Sequence, residues 1–98
     1  MQNSCLHMVA RSSLDALERC RAHCCDRDDV LFIDDGVMHL ARTAREQEEA
    51  GGANGYYLAA DVEARGLTGL TGGPGVKLIV DREFAQVLRK HNHCLTWK

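Results

Sequence analysis

Val30-Leu31-Phe32-Ile33-Asp34-Asp35-Gly36-Val37 is the stretch that decides how this chain folds. Its first four residues are uninterrupted strand formers with no polar alternation. A strand covered on both faces reads this way, and parallel sheets are built from such strands. Asp34-Asp35-Gly36 breaks the run. Val37, Leu40, Ala41 and Ala44 then recur at i, i+3, i+4 and i+7, the spacing of one helix face. A strand, a sharp break and a helix make the repeating unit of an α/β fold.

The same unit recurs on either side. Upstream, Leu6-His7-Met8-Val9 predicts a first strand. Ser12 and Ser13 can cap a helix that carries Asp15 in its first turn and runs to about Cys25. Asp26-Arg27-Asp28-Asp29 reads as a turn. Downstream, Glu46 to Glu49 and Gly51-Gly52 close the second helix, and Tyr56-Tyr57-Leu58 predicts a third strand. Asp61 to Gly66 reads as one or two helical turns, with Asp61 as cap and Gly66 as stop. Leu67 to Gly75 is a glycine-rich loop. Val76 to Val80 predicts a fourth strand. Asp81 is the expected cap of a last helix with Phe84, Val87 and Leu88 inward. Cys94-Leu95-Thr96-Trp97 is a short final strand. Alternation with short connections predicts a three-layer α/β domain spanning residues 1–98, with a mostly parallel sheet and helices on both faces.

Composition bounds the function. The chain has 98 residues, 45% of them hydrophobic and 27% charged, which is ordinary for a globular domain. A net charge of −2 gives no basic excess for nucleic acid or anionic membrane. The apolar runs are far shorter than the roughly 20 residues that span a bilayer. Met1 to His7 has neither a basic nor an apolar signal region, so the expected compartment is the cytoplasm, where thiols stay reduced. The five cysteines are therefore read as core fillers, metal ligands or reactive thiols rather than as a disulfide scaffold.

Several stretches invite a chemical reading. Gly66 to Gly75 follows a helical turn and precedes a strand, whereas a phosphate loop follows a strand and opens a helix. Asp34 and Asp35 stand at the carboxyl end of a strand, the edge where open α/β sheets bind ligands. They could hold a divalent cation or a hydroxyl group, or simply cap a helix with a tight turn at Gly36. His91-Asn92-His93-Cys94 and Cys20-Arg21-Ala22-His23-Cys24-Cys25 are rich in ligand types but lack the usual zinc spacing. The expectation is no metal and no organic cofactor, although distant clusters can converge in space. No nucleophile elbow is present.

Helical geometry separates the cysteines, since each residue advances about 100°. With Leu14 as origin, Leu17 falls at roughly 300° and Cys24 at roughly 280°. Cys25 falls at roughly 20° and Cys20 at roughly 240°. Cys24 is thus expected in the core, Cys25 at the frayed end, and Cys20 on the flank, part-exposed. Arg19, Arg21 and Arg27 lie close to Cys20 in sequence, and positive potential favours a thiolate. The plain alternative is an inert helix cysteine.

Four segments, in order along the whole chain, resemble the DsrH/TusB family. They are Leu6-His7-Met8-Val9, Val30 to Val37, Asp61-Val62-Glu63-Ala64-Arg65-Gly66-Leu67, and Lys90 to Trp97 with its near-terminal tryptophan. The resemblance implies a DsrE/DsrF/DsrH-like fold and a subunit of a cytoplasmic hexamer with DsrE-like and DsrF-like chains, or with TusD-like and TusC-like ones. Such complexes relay sulfane sulfur as cysteine persulfide. One branch serves bacterial sulfur oxidation and passes sulfur to a DsrC-like carrier. The other uses a TusE-like acceptor and ends in the wobble 2-thiouridine of tRNA. The main sulfur-accepting cysteine is expected on the DsrE/TusD-like partner. DsrH-like chains carry a helix cysteine where Cys20 stands, which makes Cys20 a candidate secondary persulfide carrier and favours the DsrH-like branch. Cys5, Cys24, Cys25 and Cys94 are departures from the pattern. A non-catalytic binding subunit with inert cysteines is the remaining alternative.

Overall fold

The computed structural model describes residues 4–25, 27–41, 55–71 and 76–98. Its strands are β1 (Cys5–Val9), β2 (Asp29–Phe32), β3 (Gly55–Leu58), β4 (Leu78–Ile79) and β5 (His93–Trp97). Its α-helices are α1 (Leu14–His23), α2 (Ala59–Ala64) and α3 (Asp81–Arg89), and a 3-10 turn covers Asp34–Met38. The strands form one sheet in the order β4-β3-β2-β1-β5. Every neighbouring pair is parallel, as the alternation of elements requires. The expected continuation of the second helix to Ala44, and the glycines of 72–75, lie outside the described residues.

Strand order dictates the layers. From β1 to β4 the chain steps one way across the sheet, and from β4 to β5 it steps back past β1. Right-handed crossovers therefore put α1 and α2 on one face and α3 on the other. The core divides accordingly. Val9, Leu17, Cys20, Val30, Phe32, Val37, Leu40, Tyr57 and Val62 pack on the first face, where the Phe32 and Tyr57 rings stack at 4.7 Å. Leu6, Leu31, Ile79 and Val87 pack on the second. Val30, Leu31 and Phe32 of the predicted apolar run are buried in β2, whereas Asp29, expected in the turn, opens the strand and Ile33 lies just past its end, half-buried.

The ends of the elements follow local chemistry. The Ala16 N–H donates to Ser13 Oγ at 3.1 Å, so Ser13 caps α1. Two expected caps are corrected. α2 opens after Leu58, not at Asp61, which sits in its first turn. The Asp61 carboxylate instead accepts the Asp34 N–H at 2.7 Å. α3 opens after Val80, and Glu83 Oε1, rather than Asp81, accepts the Val80 N–H at 3.0 Å. Leu88 is exposed, not inward. β4 is only two residues long. The turn after β2 also differs from expectation. The left-handed residue is Asp34, at φ 51°, a conformation that short polar side chains tolerate. Gly36 is needed for close approach, since a Cβ there would stand 1.8 Å from the Val9 carbonyl oxygen.

Candidate functional site

Helix α1 brings Cys20 and Cys24 one turn apart against β1, where His7 faces them. The His7 ring nitrogen and the two sulfurs lie within 4.8 Å of one another. The sequence expectation for these cysteines is corrected. Cys20 is fully buried rather than part-exposed, and Cys24 is half-buried. Leu14 is the misleading origin. It is 46% exposed at the helix start, while the buried stripe is Ala16, Leu17 and Cys20. That stripe centres at roughly 250° from Leu14, close to Cys20 itself. Cys24 follows the last helical residue as C-cap, with extended ψ of 138°. Cys25 is exposed.

His7 is held by partners the sequence does not advertise. The Trp97 indole N–H donates to His7 Nδ1 at 3.0 Å. An indole nitrogen is a donor only, so Nδ1 must be the unprotonated nitrogen. Nε2 then carries the proton and donates to Asp28 Oδ2 at 2.8 Å. The same carboxylate accepts the Cys5 N–H at 2.9 Å and the Cys25 N–H at 3.1 Å. Burial raises the Asp28 pKa, yet the hydrogen bonds from His7, Cys5 and Cys25 outweigh it and hold the carboxyl below its ordinary value. The Trp97 ring is flanked by His23, with centroids 5.1 Å apart, and by the Arg19 guanidinium at 5.9 Å. The near-terminal tryptophan is thus held against His7 through β5, which pairs with β1 from Cys5↔His93 to Val9↔Trp97.

The two thiols differ in character. The Cys20 and Cys24 sulfurs lie within 4.8 Å of each other, and this pairing, together with burial, pushes the Cys20 pKa up. The same pairing lowers the Cys24 pKa, against burial and the nearby Asp28 and Asp29 carboxylates. The arrangement is a thiolate-prone sulfur beside a buried thiol. Its atoms are also those of a soft-metal site. However, both His7 nitrogens are in use, so a metal at Nδ1 would have to displace the indole.

The other sequence candidates are brought together differently. Arg65 reaches across from the end of α2 to Asp34 Oδ1 at 2.6 Å and Asp35 Oδ1 at 3.2 Å, and its Nη1 is 3.6 Å from Asp61. The adjacent carboxylates at this edge therefore clamp α2 to the end of β2. His91 does not join the cysteines. Its Nε2 meets Asp29 Oδ2 at 2.7 Å and its Nδ1 meets Ser4 Oγ at 2.8 Å, tying the end of α3 to the sheet. Cys94 is exposed on β5. Sequence reasoning misses His7, Asp28 and Trp97. A polar residue inside an apolar strand run is the signal that could have flagged His7, since a buried imidazole must find partners.

No described helix is long and apolar enough to cross a membrane. A search of the curated proteins finds no match. A comparison with protein families finds a match, described as DsrH like protein, over residues 11–94. That match takes in α1 and its cap residue, with Cys20 and Cys24, the Asp34–Met38 turn, α2 and its cap residue Arg65, and the start of β5. With these elements placed in an all-parallel, three-layer α/β sheet, the chain belongs to the DsrH-like family.

Proposed function

We propose that this chain is a DsrH-like subunit of a cytoplasmic, heterohexameric sulfur-relay complex of bacterial sulfur oxidation. Its partners in this reading are DsrE-like and DsrF-like chains and a DsrC-like acceptor. Family membership carries the reading, and two features of the molecule support it. A thiol pair with one sulfur favouring the thiolate suits persulfide chemistry, in which the thiolate is the nucleophile. The second sheet face also suits a subunit. Among the described residues α3 alone covers it, leaving Met8, Ile33, Tyr56 and Leu58 half-buried and Cys94 and Thr96 exposed. A partner chain docking there would bury this apolar surface and add to stability.

Co-expression with DsrE-like and DsrF-like chains tests the assembly. The expected result is co-purification of all three in a single species with two copies of each. A monodisperse monomer that captures neither partner contradicts it. Deleting the gene separates the pathways, because wobble 2-thiouridine stays at its normal level in the sulfur-oxidation role and disappears in a TusB-like one.

A further inference from the structure

We propose that Cys24, not Cys20, is the thiol that takes sulfane sulfur on this subunit, and that Cys20 is its buried positioning donor. This assignment rests on the relay reading above and deepens it. Two geometric facts carry it. Cys20 has no exposed surface and sits among close-packed neighbours of the first core face. An extra sulfur atom there would have to displace them. Cys24 is half-buried at the point where the backbone leaves α1, with its sulfur within 4.8 Å of the Cys20 sulfur and a His7 ring nitrogen, so this residue, unlike Cys20, meets solvent.

The electrostatics agree with this division. A helix carboxyl end disfavours an anion, so a thiolate at Cys24 needs a donor of its own. The groups around it are Cys20 on α1, His7 and Cys5 on β1, and Asp28 and Asp29 ahead of and at the start of β2. The carboxylates oppose the thiolate, and His7 spends its N–H on Asp28. The Cys20 S–H is the group that stabilises it. Cys20 is therefore a positioning residue, and its own proton is held more firmly as a result.

The transfer balances without an outside oxidant. The Cys24 thiolate attacks the outer sulfur of a cysteine persulfide presented by a partner subunit. A sulfur–sulfur bond forms to Cys24 and the donor's sulfur–sulfur bond breaks. The donor leaves as a thiolate and takes up a proton from solvent. The sulfane sulfur moves with its oxidation state unchanged.

The test loads the co-purified complex with inorganic polysulfide and follows the intact mass of this subunit. Cys24→Ser is expected to lose the added sulfur, while Cys25→Ser keeps it. Cys20→Ser, whose hydroxyl still donates, also keeps it. The pH dependence of Cys24 alkylation by iodoacetamide gives an independent readout. In Cys20→Ala the profile moves up by about one pH unit, a tenfold loss of thiolate at a given pH, and Cys20→Ser restores part of the shift. Sulfur uptake by Cys24→Ser at the wild-type level overturns the assignment, as does an alkylation profile unmoved in Cys20→Ala. A wild-type subunit that takes up no sulfur, in a complex whose DsrE-like partner gains it, overturns the Cys24 assignment and leaves the assembly standing, whereas failure to co-purify with the partners overturns the relay reading itself.

Discussion

Gly36→Ala is expected to destabilise the fold by about 3–5 kcal/mol, the range reached only when a substitution forces backbone to move. The added methyl would lie 1.8 Å from the Val9 carbonyl oxygen and 2.6 Å from its carbon. Neither group is free to yield. The Val9 carbonyl accepts the Ile33 N–H at 3.1 Å, and the Gly36 N–H donates to the Ile33 carbonyl at 2.8 Å. Val9 also lies in register between Phe32 and Trp97 in the middle of the sheet. A domain of this size holds about 5–15 kcal/mol in all. The loss translates to a fall in Tm of more than about 10 °C, measured by circular dichroism. Gly69→Ala is the control, because a Cβ there meets nothing within 4 Å, and its effect is expected to stay within about 0.5 kcal/mol. Equal melting of the two variants would contradict the account of the turn.

Asp28→Asn is expected to cost about 2–4 kcal/mol at neutral pH. The wild-type carboxylate accepts hydrogen bonds from the Cys5 and Cys25 amides and the His7 imidazole. An asparagine has one oxygen for them and turns an amide nitrogen toward a donor. His7 has no escape by changing tautomer, since Trp97 fixes Nδ1 as the acceptor. The pH dependence follows from the lowered carboxyl pKa. A carboxyl whose folded value is below its unfolded one stabilises the fold above the unfolded value, near 4, and loses that contribution as pH falls through the folded value. Urea denaturation at several pH values is therefore expected to show a wide gap between wild type and Asp28→Asn at pH 7. The gap should narrow steadily below about pH 4. A gap independent of pH would mean that the charge of Asp28 does not contribute.

The legible parts of the fold are those that rest on local pattern. The unbroken run at Val30 to Ile33 requires cover on both faces, and Val30, Leu31 and Phe32 are buried in β2. Ser13 is recognisable as a cap through its spacing to the apolar residues of α1. What escapes the sequence depends on contacts far apart in the chain. β5 returns beside β1, bringing Trp97 to His7 across 90 residues, and neither residue signals the other. Asp28 lies in a predicted turn of four polar residues, three of them acidic, with nothing to single it out. The cysteines of α1 are separable in principle by angle, but an exposed Leu14 gives the wrong origin and exchanges the environments of Cys20 and Cys24. Asp61 and Asp81 are expected as caps because aspartate is common there. The first is claimed by the Asp34 amide and Arg65, and Glu83 supplies the second.

The central claim is that this subunit handles sulfane sulfur rather than merely completing an assembly. The measurement that tests it most directly is the intact mass of the subunit recovered from the co-purified complex after reaction with polysulfide and removal of excess reagent. The account predicts a species one sulfur atom heavier, returned to the starting mass by dithiothreitol. A subunit of unchanged mass, recovered from a complex whose DsrE-like partner has gained sulfur, would contradict it.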